Sequence, residues 1–311
     1  MSTGWKYPNS INIEITNRCN LKCKFCVNRS MQRVKQDISN DIFHKIINDI
    51  KCYPEVNNII PVGLGEPFLN KNWYELLVII KKEFPSIPIY IVTNGVLLTQ
   101  DVIDKISEVL KSDDSLLISL NSGNKEKYRI MMGLDKFECV NKNVNYLLER
   151  KKSGNSKFII KLQYIRLKGL KNFFQLVFFI LKWKIRLNGT PDIIFIRQLE
   201  NWGGKIDTKN FSTKSEKSRY PCPALWSIAM INCEGDIYPC CEQLTHKKGT
   251  LFLGNIKDIT LKEAFESDKY KKIRENHLNG KWDIYPECRN CDFWSSSQLI
   301  LETIIQDSNG E

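Results

Sequence analysis

Eleven cysteines fall into two groups and a few singletons. Cys19, Cys23 and Cys26 form a C-x3-C-x2-C run, three thiolates that one loop can wrap around a single metal centre. Zinc would want a fourth ligand nearby to complete its tetrahedron. None follows, the nearest candidates being His44 and Cys52 on a stretch that reads as helix. A 4Fe–4S cube held by three cysteines instead leaves one iron open, and an open iron can take the amine and carboxylate of a small molecule. The second group lies near the other end: Cys222, Cys233, Cys240, Cys241, Cys288 and Cys291. Within it, Cys222, Gly235 and Cys240 give C-x12-G-x4-C, and Cys288 and Cys291 give C-x2-C. Four cysteines in two pairs suit either a zinc ribbon or a second 4Fe–4S cluster. Cys240 and Cys241 are neighbours, so only one ligates easily, and the spacing favours Cys240. Cys241 is then a spare buried thiol or, in the sharper reading, a hydrogen-atom donor. Cys52, Cys139 and Cys233 read as ordinary cysteines.

The elements that must position these loops alternate. Short β-branched runs stand at Ile11–Ile15, Asn58–Val62, Ile89–Thr93, Leu116–Leu120, Phe158–Tyr164 and Ile193–Ile196. Between them lie segments of helical period at Asn40–Lys51 (with Ser39 as N-cap), Trp73–Phe84, Thr99–Lys111, Asn141–Lys152 and Leu170–Lys184. Strands spaced by helices mean βαβ units and a parallel sheet. Six units are too few for a closed eight-unit barrel, so an open, partial barrel is expected, with its site at the C-terminal ends of the strands. The apolar run Phe173–Leu181 is too short to span a membrane and is expected to be a buried helix. Polar, aperiodic sequence around Gly203–Arg219 reads as a linker. A hairpin turning at Cys233–Asp236 and a helix near Leu261–Arg274 follow.

Three further motifs accompany the first cysteine group. Gly65-Glu66-Pro67 follows the second strand, Thr93-Asn94-Gly95 closes the third, and Ser119-Leu120-Asn121 ends the fourth. Each alone is a common turn. Together with C-x3-C-x2-C after strand one, and Phe25 before its last cysteine, they resemble the radical S-adenosylmethionine (radical SAM) superfamily over roughly residues 8–200. One departure is Leu64, which stands where that family's "GGEP" has its first glycine, with Gly63 beside it. The resemblance implies an α/β fold, a partial (β/α)6 barrel. It implies that Cys19, Cys23 and Cys26 hold a SAM-binding 4Fe–4S cluster. Phe25, Gly65, Glu66, Pro67, Thr93, Asn94, Ser119 and Asn121 would then bind SAM. The implied chemistry is one-electron cleavage of SAM to methionine and a 5′-deoxyadenosyl radical, which abstracts hydrogen from substrate in a water-poor site.

The tail is similar to the SPASM/twitch extension, a small Cys-rich α+β domain, through Tyr238-Pro239-Cys240-Cys241, Gly254-Asn255-Ile256 and Leu261-Lys262-Glu263-Ala264-Phe265. It lacks the later C-x5-C-x3-C of full SPASM extensions. The resemblance therefore implies one auxiliary 4Fe–4S cluster on Cys222, Cys240, Cys288 and Cys291, as in the radical SAM alcohol oxidases of aminoglycoside assembly. The expected division is a radical SAM core at 8–204, a linker at 205–219, a cluster domain at 220–297 and a tail at 298–311. Asn201-Trp202-Gly203-Gly204 resembles a structural hinge of SPASM-type enzymes. Arg197 and Gln198 precede it where substrate should arrive, and Arg197 suits a carboxylate or phosphate; an outward-facing surface arginine is the other reading.

A balance of 46 Lys+Arg against 35 Asp+Glu gives +11. The lysines are dispersed among acids, so solvated surface is the expectation and nucleic acid is not the expected partner. MSTGWKYPNS lacks an apolar core and reads as no secretory signal. A cytoplasmic enzyme follows, with no membrane span, and clustered cysteines in a reducing compartment read as metal ligands. His44, His246 and His277 suggest no catalytic constellation.

Three functions remain open from residues. The first is dehydrogenation or epimerisation of a small sugar or cyclitol, with the electron from flavodoxin or ferredoxin. The chain's length leaves no room for a separate leader-peptide-binding domain, which favours this reading. The second is maturation of a ribosomal peptide by thioether formation, carbon–carbon crosslinking or epimerisation. The third is a zinc protein that binds nucleic acid, which would have to treat all three additional motifs as accidents.

Overall fold

The structure is a computed structural model. It describes residues 7–53, 55–187, 190, 192–209, 219–245 and 248–296. His246, the expected tail at 298–311 and most of the expected linker lie outside the described residues.

The alternating pattern builds the expected βα series. β1 (Ser10–Ile13), β2 (Asn58–Ile60), β3 (Tyr90–Thr93), β4 (Ser115–Ser119), β5 (Ile159–Arg166) and β6 (Ile193–Gln198) are the strands. α1 (Asn40–Cys52), α2 (Trp73–Glu83), α3 (Gln100–Val109), α4 (Lys125–Met132), α5 (Phe137–Lys152) and α6 (Leu170–Leu187) lie between them. The Ser39 hydroxyl caps α1 by accepting from the Ile42 N–H, satisfying one orphan donor of its first turn. α1 then turns Ile42, Phe43, Ile46, Ile47 and Ile50 inward, the stripe that a 3.6-residue period lays on one face.

Strands β3-β4-β5-β6 form one parallel sheet in that order. β2 and β1 belong to a second sheet, ordered β2-β1-β7-β8-β9. A single parallel bridge, Ile59 to Ile89, joins the two. β7 (Ile228–Ile231), β8 (Asp236–Tyr238) and β9 (Gly254–Asn255) come from the C-terminal third. The hairpin expected at Cys233–Asp236 forms, but not as a separate module. β7 pairs in parallel with β1, Ser10 opposite Ile228 and Ile13 opposite Ile231. One continuous apolar core consequently runs from β1 and α1 to Ala264, Phe265 and Tyr270.

Short helices complete the chain: α7 (Ala224–Ser227), α8 (Leu261–Glu266), α9 (Asp268–Leu278), α10 (Pro286–Arg289) and α11 (Phe293–Ser296). The helix expected near Leu261–Arg274 is two helices. Ser267 adopts extended backbone and caps α9 through Tyr270 N, so a capping side chain breaks a pattern that period alone reads as continuous.

The Phe173–Leu181 run corrects its expectation. It is helical but not buried: Leu176 and Phe179 face the core, while Phe173, Phe174, Phe178 and Leu181 are exposed. No helix among the described residues is long and apolar enough to cross a membrane.

Candidate functional site

The first cysteine loop leaves β1 and is held from three sides. From below, Asn28 reaches across, its amide donating to Asn17 O at 2.8 Å and Leu64 O at 2.8 Å. From one flank, Lys22 N donates to Met132 O at 3.3 Å and Lys24 N to Met131 O at 2.9 Å, so the loop sits on the end of α4. Gly133 makes that approach possible. It is left-handed at φ +76°, and a Cβ there would meet Lys22 O at 2.3 Å. From the other flank comes the Gly65-Glu66-Pro67 turn. A Cβ on Gly65 would lie 2.3 Å from Thr16 O, and Glu66 N donates to Arg18 O at 2.8 Å. The replacement of a glycine by Leu64 also has a place: Leu64 fills a small core with Val27, Met230, Tyr238 and Leu244. Gly63 beside it clears the Glu14 side chain, which a Cβ would strike at 2.2 Å.

These turns converge. Glu66 is buried and accepts from the Thr93 hydroxyl at 2.6 Å and Asn94 N at 2.8 Å. The Asn94 amide donates to Asn20 Oδ1, inside the cysteine loop, at 2.7 Å. On the next strand, Gln163 Nε2 bridges Asn121 Oδ1 at 2.8 Å and Ser119 Oγ at 3.5 Å. Asn121 is itself left-handed, φ +57°, and its amide lies 3.6 Å from Met132 Sδ, which is 3.9 Å from Cys23 Sγ. Pro67 starts a buried 3-10 turn, and Phe25 packs partly buried against the core. The candidate residues thus meet along one rim. Asn20, Asn28, Met132, Gly133 and Gln163 also belong to it. Their one sequence signal was the glycine after the Met131-Met132 helix end, a C-cap signature.

The donor chemistry fits a cationic cluster. Burial pushes the Cys19 thiol up to about 11 and raises Cys23 and Cys26 as well; Cys23 is raised further by the proximity of Cys26 and Cys19. Three thiols packed together in a poorly solvated loop become thiolates only against positive charge, which iron supplies. Burial likewise lifts Glu66 to about 7, against the opposing bonds from Asn94 and Thr93. A ligand ammonium would restore its charge.

The second group also gathers. Cys288 and Cys291 lie within electrostatic reach of Cys222, and so does Cys240. Burial raises Cys222 and Cys288 to about 12. Glu242 lies among them, with both carboxylate oxygens buried and without a hydrogen-bond partner, a donor-poor position that a bound cation would relieve. Among the described residues, no three Cys, His, Asp or Glu side chains meet around one ion-sized point.

The expected hinge clasps this site. Asn201 Nδ2 donates to Asn290 O at 2.7 Å, Asn201 Oδ1 accepts from Asp292 N at 3.2 Å, and Asn201 N donates to Asp292 Oδ1 at 3.0 Å. Gly203 and Gly204 are left-handed, and a Cβ on Gly204 would lie 2.8 Å from Asn290 Cβ. Arg219 adds two bonds, to Cys288 O at 2.8 Å and Arg289 O at 3.1 Å.

Cys241 packs against the small core that includes Val27 and Leu64 and lies within electrostatic reach of Cys222. A hydrogen bond from Cys240 holds its thiol below the usual range, with a smaller contribution from Arg197. Arg197 is ion-paired with Glu200, its own side chain 40% exposed and that of Glu200 buried. Gln198 Oε1 is buried and unpartnered. Cys233 is buried and accepts from Arg33, while Cys52 and Cys139 are exposed on helices. His44 is exposed on α1 and His277 buried in α9; neither stands among the site residues named above.

Comparison with known proteins agrees with this geometry. The model of the Radical SAM superfamily matches residues 13–173, and that of SPASM, an iron–sulfur cluster-binding domain, matches residues 222–292. The cofactor-modifying protein of tungsten-containing aldehyde ferredoxin oxidoreductase from Pyrococcus furiosus is 24% identical, covering 94% of this chain and 90% of that protein. The S-adenosyl-L-methionine-dependent 2-deoxy-scyllo-inosamine dehydrogenase of Niallia circulans is 22% identical over 93% of this chain and 95% of that one. Streptococcus suis SuiB, solved bound to its precursor peptide SuiA, shares the fold at a TM-score of 0.66 and 19% identity, covering 86% of this chain and 67% of SuiB. The chain belongs to the radical SAM superfamily and carries a C-terminal SPASM domain, with S-adenosylmethionine and iron–sulfur clusters as its cofactors.

Proposed function

We propose that this enzyme removes a hydrogen atom from a small polar molecule of sugar or cyclitol type, with dehydrogenation or epimerisation as the outcome. The observation that carries the reading is the placement of Cys241 beside Cys240 and within electrostatic reach of Cys222 and of the Arg197–Glu200 pair at the C-terminal end of β6. Cys19, Cys23 and Cys26 would hold the SAM-binding cluster, and the four later cysteines one auxiliary cluster without an open iron. SAM bound at a reduced cluster supplies a 5′-deoxyadenosyl radical as the hydrogen-abstracting agent.

The protein's share is positioning. Glu66 receives the SAM ammonium while Thr93 and Asn94 fix its carboxylate. Phe25, Gly65 and Pro67 shape the cradle, and Ser119 and Asn121 meet the ribose. Arg197 and Glu200 orient a polar substrate group. In epimerisation the Cys241 thiol would return a hydrogen atom to the substrate radical and become a thiyl radical, which one electron from the reductant and a proton would restore; in dehydrogenation Cys222, Cys240, Cys288 and Cys291 would hold the cluster that offers the second electron a way out. The likeness to the 2-deoxy-scyllo-inosamine dehydrogenase across nearly the whole chain supports the small-molecule reading. Flavodoxin or ferredoxin would bring the first electron in a reducing cytoplasm.

The SuiB likeness favours a second reading, maturation of a ribosomal peptide. Anaerobic incubation of reconstituted enzyme with SAM, dithionite and a panel of amino-cyclitols, sugars and precursor peptides separates the two. A substrate-dependent rise in 5′-deoxyadenosine with a product two mass units lighter supports dehydrogenation. Solvent deuterium at one carbon, lost in Cys241→Ala, supports epimerisation. Turnover of precursor peptides only would replace this reading with the second.

A further inference from the structure

The exposed face of α6 lies outside the site described above. Leu170, Phe173, Phe174, Phe178, Leu181 and Ile185 are 72%, 52%, 54%, 72%, 53% and 76% exposed, six of the eleven exposed large hydrophobic residues of the described chain. Spacings of four, four, three and four residues from Leu170 through Phe174, Phe178 and Leu181 to Ile185 put them in one stripe. The opposite side, through Leu176, Phe179, Trp183 and Leu187, anchors the helix in the core. The stripe therefore runs the length of a firmly held helix, about 27 Å at 1.5 Å per residue. An apolar patch of this kind on a folded surface marks an interaction site.

Charge decides what covers it. Arg166, Lys168 and Lys171 stand exposed at one end and Lys184 near the other. No Asp or Glu occurs between Glu149 and Asp192. Two copies meeting through this stripe would bring like-charged ends together with no acid on the helix to offset them. An anionic bilayer supplies both complements: headgroups for the cationic rim and the acyl boundary for the phenylalanines. The helix cannot cross a bilayer, and its apolar face covers one side only, so it would lie flat.

We infer that α6 is a membrane-surface anchor that seats the enzyme on anionic lipid through Phe174, Phe178, Leu181 and Ile185, with Lys171 and Lys184 facing the headgroups. The anchor is independent of the substrate reading, because α6 contributes no residue to the cluster sites.

The test is sedimentation of full-length reconstituted enzyme with sucrose-loaded vesicles of phosphatidylcholine alone or of phosphatidylcholine and phosphatidylglycerol at 3:1. Binding should be at least tenfold tighter to the anionic vesicles and weaken as salt rises. Phe178→Glu should abolish pelleting, and Lys171→Glu with Lys184→Glu should remove the lipid preference, with iron content and SAM cleavage kept in both. Failure to pellet with either vesicle overturns the inference, as does equal binding by Phe178→Glu. So does a vesicle-free dimer of the parent that Phe178→Glu converts to monomer, which would assign the stripe to a second copy. Binding that appears only in a chain ended at Ser296 would assign it to residues 297–311, whose charged residues are all acidic.

Discussion

Cys23 lies against the sulfur of Met132 and within electrostatic reach of Cys19 and Cys26, and burial leaves its thiol little water. Replacing it removes one of three cluster ligands and leaves the others a site they cannot complete. Cys23→Ala should abolish reductive SAM cleavage, read as 5′-deoxyadenosine by chromatography; retained production would remove this loop from the chemistry. Cys288→Ala should instead lose roughly half of the iron of a protein with two four-iron clusters and keep some SAM cleavage. Unchanged iron in that variant would mean the second site does not hold an iron–sulfur cluster. The candidate residues at this scale stand out in the sequence, because Cys19, Cys23 and Cys26, Glu66, and Thr93 with Asn94 each sit in a short motif. Met132 and Gln163 are silent there. An ordinary helix methionine and an ordinary strand glutamine gain their meaning only when α4 and β5 fold back onto loops far earlier in the chain.

At the scale of elements, glycines decide how closely loops approach. Gly133→Ala would place a methyl group 2.3 Å from the Lys22 carbonyl and ask a side-chain-bearing residue to remain left-handed. The strained backbone alone costs on the order of 1–3 kcal/mol, and the loop must also shift. The expected result is low iron occupancy of the first site with helix content preserved by circular dichroism. Asn201→Ala should act on the other site only, loosening the loop that carries Cys288 and Cys291, so that a chelator strips part of the iron faster. The strand and helix series was legible through its periodicity. What escaped was decided by competition between neighbours. α4 is short and half of its eight residues are charged, so it carries too little apolar period to announce itself. Ser267 divides α8 from α9 by offering its side chain to the backbone. The aromatic run of α6 gives the same hydrophobic count whether its outer face meets protein or solvent, so burial could not be read from it.

Across the whole molecule, the buried Arg33–Glu14 pair links the two cysteine regions. Glu14 accepts from Leu64 N at 3.1 Å and Cys233 N at 3.2 Å, and Arg33 Nε donates to Leu244 O at 2.7 Å. Neither side chain is exposed. Arg33→Met would strand a buried carboxylate, which costs about 3–5 kcal/mol; urea unfolding should show the loss. His277 sets an acid limit. Burial lowers it to about 4 from an ordinary 6.5, and both ring nitrogens lack partners. Between those values the unfolded chain binds the proton and the folded chain does not, so stability falls as pH drops from about 6.5 to 4. His277→Phe should flatten that part of a melting-temperature profile; an unchanged slope would place the acid sensitivity elsewhere.

The seat of β7 against β1 sets a timetable for making the protein. The partner of Ser10 is Ile228, and a ribosome adding 5–20 residues per second needs roughly ten to forty seconds to travel between them. Throughout that interval the nascent first strand has one edge unpaired, and the small core that Val27 and Leu64 share with Met230, Tyr238 and Leu244 beside the three thiols is incomplete. Iron delivery to this enzyme is therefore expected after release from the ribosome, and a cell short of chaperone capacity should accumulate it as apoprotein.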